Sequence, residues 1–576
     1  MADTGSRITR VYGDFRGIDL RGEECSLTRS PDCKNVWRNY RELASIETRP
    51  GLELKWALPG YYGSEDIYQI LFYKNKSVVI TNYGLYTSIP GSDMLGLQVE
   101  FYDFKLAFEF GDYLYILDNQ TYYKYDGTEI EEVEPYIPTT SIGRTPAGEG
   151  TSHDDINILT NRRINEFTPD GNSAKYHLDT PNGIDTYPPV EVYDMSNNYK
   201  YKETEYSVDY AQGIITFVDN QDVSHVPEKA QQDNIRIIFS ATEKNSQLQA
   251  LLSCNVAQVF DNRVFFGGSS GEPNRMWYSK LNTPNYFSDE DYVDDGTDSA
   301  KIKGMVPGNN ALWVFREPSD ANTNVFYHVP TIDEDYGKVY PSSHSSVSIG
   351  CVGSAINFND DIVFFSSIGM EGISADITTE QFASHRSSVV DRLMTAHKNY
   401  KDMLLAEWEG YLLVIMGKDV YLADSRAVYQ NESHMEYEWY YWELEQSAVC
   451  AAVHDGVLYI GTDECKIYSL TDTDAKRAIH SYWTTPKDKF NTPHKTKTTN
   501  KRGCVVEAEG DIKVYAKTED TSFEDGFVGE FTATDYLVPR IKQKKFKDLQ
   551  LKFESDTSFK LENVTIEAVV GGYIKR

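Results

Sequence analysis

Val256-Ala-Gln-Val-Phe-Asp-Asn-Arg-Val-Phe-Phe-Gly-Gly268 sets the fold, because its strand–turn–strand pattern keeps returning. It recurs at Ala311-Leu-Trp-Val-Phe-Arg316, at Asp360-Asp-Ile-Val-Phe-Phe365 and at Gly410-Tyr-Leu-Leu-Val-Ile-Met-Gly-Lys-Asp-Val-Tyr-Leu422. A fifth copy, Asp455-Gly-Val-Leu-Tyr-Ile-Gly461, runs into Cys465-Lys-Ile-Tyr-Ser-Leu470. Counted from Gln258 through Leu312, Val363, Leu412 and Leu458, the steps are 54, 51, 49 and 46 residues. Hairpins at a period near 50 residues predict a β-propeller with one blade per period. Such blades bury one sheet face against the next, so a single repeat cannot form a core. The period predicts six to eight blades, with seven favoured.

Outward from that core, 576 residues exceed one compact core and predict several domains. The 41 Tyr and 26 Phe, with Gly and Pro throughout, favour β structure rich in turns. Residues 1–56 read as an extended N-terminal arm, because Gly and Pro break every periodic run there. Residues 57–135 contain Gln69–Thr81 and Lys105–Leu117, hairpin-like runs assigned to the first blades. Residues 136–245 interrupt the rhythm with short alternating strands such as Tyr206–Tyr210 and Ile235–Phe239, which predict an inserted small β-sandwich. An insertion in a surface loop costs its host little, since closure entropy grows slowly with length. Its expected role is contact with a neighbouring protein or the exterior. Residues 246–475 supply the remaining blades, and residues 476–576 read as a C-terminal β platform. The fold class is thus all-β.

The formal charge is −32, from 88 acidic and 56 basic residues. Such a chain repels nucleic acid as a whole, which argues against ordinary DNA binding. Seven cysteines without a C-x-x-C pair predict buried thiols rather than a metal or redox site. No run approaches ~18 apolar residues, so no membrane span is expected. The N-terminus lacks a signal-peptide pattern, which predicts synthesis in the cytoplasm.

The common catalytic and nucleotide-binding motifs are missing, as are Trp-Asp, kelch and sialidase-type propeller repeats. No catalytic residue, cofactor or enzymatic activity is therefore expected. Two stretches remain as candidate sites. Asp289, Asp291, Asp294 and Asp295 form an acidic stretch whose oxygens could hold a hard cation, but Val293 breaks the EF-hand order and a solvated loop is the preferred reading. Arg540, Lys542, Lys544, Lys545 and Lys547 form a basic run in an acidic chain, read as a Lys-guarded edge or a contact with an acidic neighbour such as the next subunit. Glu436–Glu445 alternates carboxylates with aromatics, which predicts a strand with one aromatic face buried and one charged face wet.

Several further stretches carry a family likeness. They are Asp14-Phe-Arg-Gly-Ile-Asp-Leu20, Ser30-Pro-Asp-Cys-Lys-Asn-Val36 and Thr48-Arg-Pro-Gly51, then Asn274-Arg-Met-Trp-Tyr-Ser279 and Phe364-Phe-Ser-Ser-Ile-Gly-Met-Glu-Gly372. His385-Arg-Ser-Ser-Val-Val-Asp-Arg392 and Tyr437-Glu-Trp-Tyr440 complete the set. Together they resemble the tail-nozzle, or packaged-DNA stabilisation (tail hub), proteins of short-tailed bacteriophages, over the N-terminal arm and most of the propeller. The resemblance implies a structural virion protein of the tail, made in the host bacterial cytoplasm. It implies a homo-oligomeric ring, a hexamer, that continues the DNA channel below portal and adaptor, retains packaged genome and allows ejection. DNA would pass without specific binding. The rival readings are a receptor- or glycan-binding propeller of a phage tail, able to hydrolyse glycans, and a host-side interaction scaffold.

Overall fold

The computed structural model describes residues 6–39, 45–59, 66–101, 103–180, 183–242, 245–334, 337–373, 383–431, 434–471 and 479–574. The fold is all-β and propeller-like, with an inserted sandwich and a C-terminal β platform. Two compact units divide the chain: Met1–Phe101, Asn322–Val325 and Ser345–Arg576 in the first, Tyr102–Ala321 and Phe326–His344 in the second.

The blades begin with a recurring turn. Two-residue loops join Tyr73 to Lys76, Phe260 to Arg263, Gly308 to Ala311, Phe358 to Asp361, Trp408 to Tyr411 and His454 to Val457. Both loop residues have positive φ in all six, for example Asp261 (50°) and Asn262 (55°). That is the type I′ geometry whose twist matches antiparallel strands, and Asn, Asp and Gly tolerate it best. A seventh hairpin joins Phe110 to Tyr113 through Gly111 (φ 58°) and Asp112. These loops are what the sequence repeat registers.

In the first unit, Ile67–Tyr73, Lys76–Thr81, Gly84–Ser88 and Leu95–Glu100 form one four-stranded meander, and Ala355–Phe358 to Ala383–His385 form another. A six-stranded sheet combines Leu404–Trp408, the 21-residue strands Tyr411–Asn431 and His434–His454, Val457–Thr462, Lys466–Thr471 and Gly51–Ala57. Ile67, Ile70, Val79 and Tyr86 pack on Cys450 and Ile467 of that sheet, one blade face against the next.

The second unit holds three four-stranded sheets, which start at Phe104–Phe110, Val256–Phe260 and Ile302–Gly308. Phe265, Met276 and Tyr278 of one blade meet Ile302, Leu312 and Val314 of the next. The insert is two sheets, six-stranded and three-stranded, around Phe167, Tyr176, Val192, Ile215, Phe217 and Ile237. Among the described residues, no helix is long and apolar enough to cross a membrane.

The N-terminal stretch departs from the arm expected for residues 1–56. Arg7–Tyr12 pairs with Phe559–Tyr573 from Arg7↔Val569 to Tyr12↔Val564, and Cys33–Lys34 pairs with Ser481–Thr484. Ile46–Thr48 joins the same eleven-stranded sheet, while Gly51–Ala57 is the outer strand of the last blade. These strands are two to seven residues long. They are too short to show periodicity, and each has a partner hundreds of residues away.

Candidate interaction surface

The basic run is displayed by its own apolar anchors. Ile541 and Phe546 are buried, Phe546 packs edge-on to Phe490, and Lys544–Phe546 pairs with the long strand Lys495–Thr518. The Ile541 carbonyl accepts from Thr499 Oγ1 (2.9 Å), and the buried Lys497 Nζ donates to the Lys547 carbonyl (2.7 Å). Burial holds the Lys497 ammonium below its ordinary pKa. With those residues turned inward, Arg540, Lys542, Lys544, Lys545 and Lys547 are all exposed. Among the described residues none of the five side chains makes an ion pair.

Elsewhere on the same platform cations find acids, as in Lys513–Asp556 (2.5 Å) and Lys517–Glu23 (2.9 Å). The exposed Tyr536 and Val538 lie just upstream of the run. The combination is a cationic strip with apolar neighbours, suited to an anionic partner surface.

The acidic loop does not form a cation site. Asp294 takes Arg275 in a two-pronged pair (2.7 and 2.9 Å), and Asp291 takes Lys280 (2.7 Å). Asp295 is buried and accepts from His328 Nε2 (3.0 Å) and Ser342 Oγ (2.5 Å). Asp289 is buried, with its N–H on the Ile156 carbonyl (3.0 Å). Three of the carboxylates thus serve different partners, and no cluster of three or more metal-type ligands occurs among the described residues.

The segment Glu436–Glu445 also departs from the expected half-wet strand, because Tyr437 to Tyr440 are all buried. The N-terminal segment covers it. Ile18 N–H donates to the Trp439 carbonyl (2.7 Å) and Asn35 N–H to that of Tyr441 (2.9 Å), while Trp442 Nε1–H reaches the Val36 carbonyl (3.3 Å). Gly17 sits at φ +81°, where a Cβ would stand 2.1 Å from the Trp439 oxygen. Arg49 is buried and donates to Asn35 Oδ1 (3.0 Å), the Pro50 carbonyl (2.9 Å) and the Glu443 carbonyl (3.1 Å). Ser30 Oγ donates to the Thr484 carbonyl (2.7 Å). The N-terminal motif residues Gly17, Ser30, Asn35 and Arg49 therefore build a clasp that ties the N-terminal stretch to the long ribbon and the platform.

Glu438 lies under that clasp. Burial pushes its carboxyl up to about 7, against the lowering effect of Arg38 (3.6 Å) and Arg16 (3.9 Å). A further, half-buried network gathers His385, whose Nδ1 meets Glu371 (2.7 Å) and whose Nε2 meets Asp391 (2.5 Å). Burial opposes the imidazolium, but the bonds to Asp391 and Glu371 prevail and raise it to about 10. Ser387 Oγ donates to Asp391 (2.6 Å) rather than to the histidine, so the group is no nucleophile–base pair. No spacing in the sequence announces it, since Glu371, His385 and Asp391 come from two strands and a helical turn.

No protein-family model and no curated protein matches the chain. Solved structures with some likeness include BamB from Moraxella catarrhalis, at 9% identity over 74% of this chain and 92% of that one, TM-score 0.32. The computationally designed Ika8 protein aligns at 9% over 73% and 99%, TM-score 0.31. Hsv2p of Kluyveromyces lactis aligns at 10% over 66% and 98%, TM-score 0.24. At these scores the fold rests on the chain's own sheets.

Proposed function

We propose that the chain is a structural subunit of a virion tail, assembling with copies of itself into a ring of the nozzle or hub type. The single observation that carries this reading is the cationic strip Arg540–Lys547, exposed and without ion pairs among the described residues, on a chain of charge −32. Every copy brings both a basic strip and an excess of acid, so a heterologous contact between copies is electrostatically self-complementary. Rigid β blades suit a ring that carries load, and an acidic lumen would let DNA slide without adhering. Gly17, Ser30, Asn35 and Arg49, from the stretches that resemble the nozzle family, hold chain segments together, which suits a structural part.

The test is Lys542→Glu/Lys544→Glu/Lys545→Glu in the full chain, read by sedimentation and negative-stain microscopy with and without the virion adaptor. The unaltered chain should form rings and the variant should stay monomeric with an unchanged melting temperature. Monomers in both, under every assembly condition, would refute the reading.

A further inference from the structure

The strip Arg540–Lys547 has a counterpart of opposite sign on the same chain. Asp126-Gly-Thr-Glu-Ile-Glu-Glu-Val-Glu134 carries five carboxylates in nine residues and no cation. It closes the blade that starts at Phe104–Phe110. Ile130–Glu132 is the outermost strand there, paired with Thr121–Tyr125 and, among the described residues, with no strand on its other side. Val133 is buried and its N–H donates to the Tyr122 carbonyl (2.8 Å), which anchors the segment and leaves its acids outside. The Asp126 carboxylate is occupied by its own turn, accepting from the N–H groups of Thr128 (2.6 Å) and Glu129 (2.8 Å). Glu131 meets Lys124 across the strand pair (3.3 Å). Glu129, Glu132 and Glu134 are exposed, and among the described residues their carboxylates have no hydrogen-bond or ion-pair partner.

Like charges crowded on one edge repel each other, and an opposite charge laid over them relieves that repulsion. Exposed acids of the platform differ, since Glu509 stands opposite Lys560 and Glu530 opposite Lys513 across their strand pairs. The cationic side is also wider than the run itself. Lys501 and Arg502, on the long strand that Lys544–Phe546 pairs with, are exposed and make no ion pair among the described residues. We infer that the acidic blade edge Glu129–Glu134 of one copy docks on the cationic strip Arg540–Lys547 of a second copy. This rests on the ring proposed above and names the surface that its basic strip takes. The two halves are different surfaces, so each copy offers one to each of two neighbours, and the contact repeats from copy to copy instead of ending at a pair.

The test uses the full chain, read by sedimentation under the conditions in which the unaltered chain assembles. Glu129→Lys/Glu132→Lys/Glu134→Lys should weaken association at least about a hundredfold, because like charges then face each other across the contact. Its melting temperature should stay unchanged, since all three side chains are exposed. Glu129→Gln/Glu132→Gln/Glu134→Gln removes the charge without reversing it and should weaken association less, about tenfold. Joining the Glu→Lys set to Lys542→Glu/Lys544→Glu/Lys545→Glu in one chain reverses both halves and should restore the rings. Assembly as before in both blade-edge variants, or a doubly reversed chain that stays monomeric, overturns the inference. In the first case the ring reading stands if the strip variant alone is monomeric. An unaltered chain that never assembles refutes both.

Discussion

Replacing Gly17 by Ala tests whether the N-terminal stretch is truly built into the fold. At φ +81° an alanine costs about 1–2 kcal/mol in backbone strain alone. Its Cβ would also stand 2.1 Å from the Trp439 oxygen and 3.0 Å from the Trp439 carbonyl carbon. Trp439 cannot retreat, because its strand is paired at Ala423 on the other side. Residues 15–20 must therefore lift away, losing the Ile18 N–H bond to Trp439 (2.7 Å) and the Ser30 N–H bond to the Gly17 carbonyl (2.9 Å), at about 1 kcal/mol each. The expected loss is about 3–4 kcal/mol. In a cooperative unit of roughly 340 residues this lowers Tm by about 4–6 °C. Gly22→Ala is the control, since nothing lies within 4 Å of its added Cβ. Calorimetry of both variants, with limited proteolysis of the N-terminus, gives the answer. Equal melting and equal protease resistance would refute the clasp.

The half-buried His385 and the buried Glu438 both make stability fall as pH rises, over different windows. His385 is raised from 6.5 to about 10, so its stabilisation is complete below pH ~6.5 and is lost as pH rises through about 10. The full shift corresponds to about 5 kcal/mol, and solvent screening of this part-exposed ring leaves about 2. His385→Gln should flatten the stability profile between pH 7 and 10 in denaturant titrations, and an unaltered slope would count against the network. Glu438 is raised from 4.5 to about 7, so the native state holds its proton longer than the unfolded chain and stability falls as pH rises from 4.5 to 7. Glu438→Gln should remove that fall and stabilise the protein at pH 8 by about 1–3 kcal/mol. Destabilisation at pH 8 would mean that the pairing with Arg16 and Arg38 outweighs burial.

The blades were legible because their turns are short and chemically marked. Asp261-Asn262, Asn309-Asn310, Asn359-Asp360 and Asp455-Gly456 are positive-φ pairs between apolar runs, a local signal that survives without partners. The clasp was hidden for the opposite reason. Gly17 and Trp439 are far apart in sequence, and the strand Cys33–Lys34 has only two residues, so no window of sequence contains both halves of the contact. The wet face expected for Glu436–Glu445 failed with it, since alternation predicts exposure only when nothing else covers the strand. The acidic loop is neither the solvated loop nor the cation site that its sequence offered, because charge density does not reveal that Arg275, Lys280 and His328 come from other strands and turns to take three of the four carboxylates. The basic run was visible as sequence, but its lack of ion pairs among the described residues is a property of the folded platform.

Salt separates the clasp from the proposed subunit contact. The clasp is made of backbone hydrogen bonds, a buried Arg49 on carbonyls and apolar packing such as Phe15 on Trp483 at 5.2 Å. None of these depends on long-range charge. A contact through Arg540–Lys547 would depend on little else, because its five cations are exposed and a Debye length of about 3 Å at 1 M salt screens them from an acidic neighbour. Raising salt from 0.1 to 1 M should therefore dissociate assemblies while leaving the melting temperature of the separated chain almost unchanged. If assemblies persist at 1 M salt, the subunit contact is apolar. The exposed Tyr536, Val538 and Phe527 would then be the side chains to truncate.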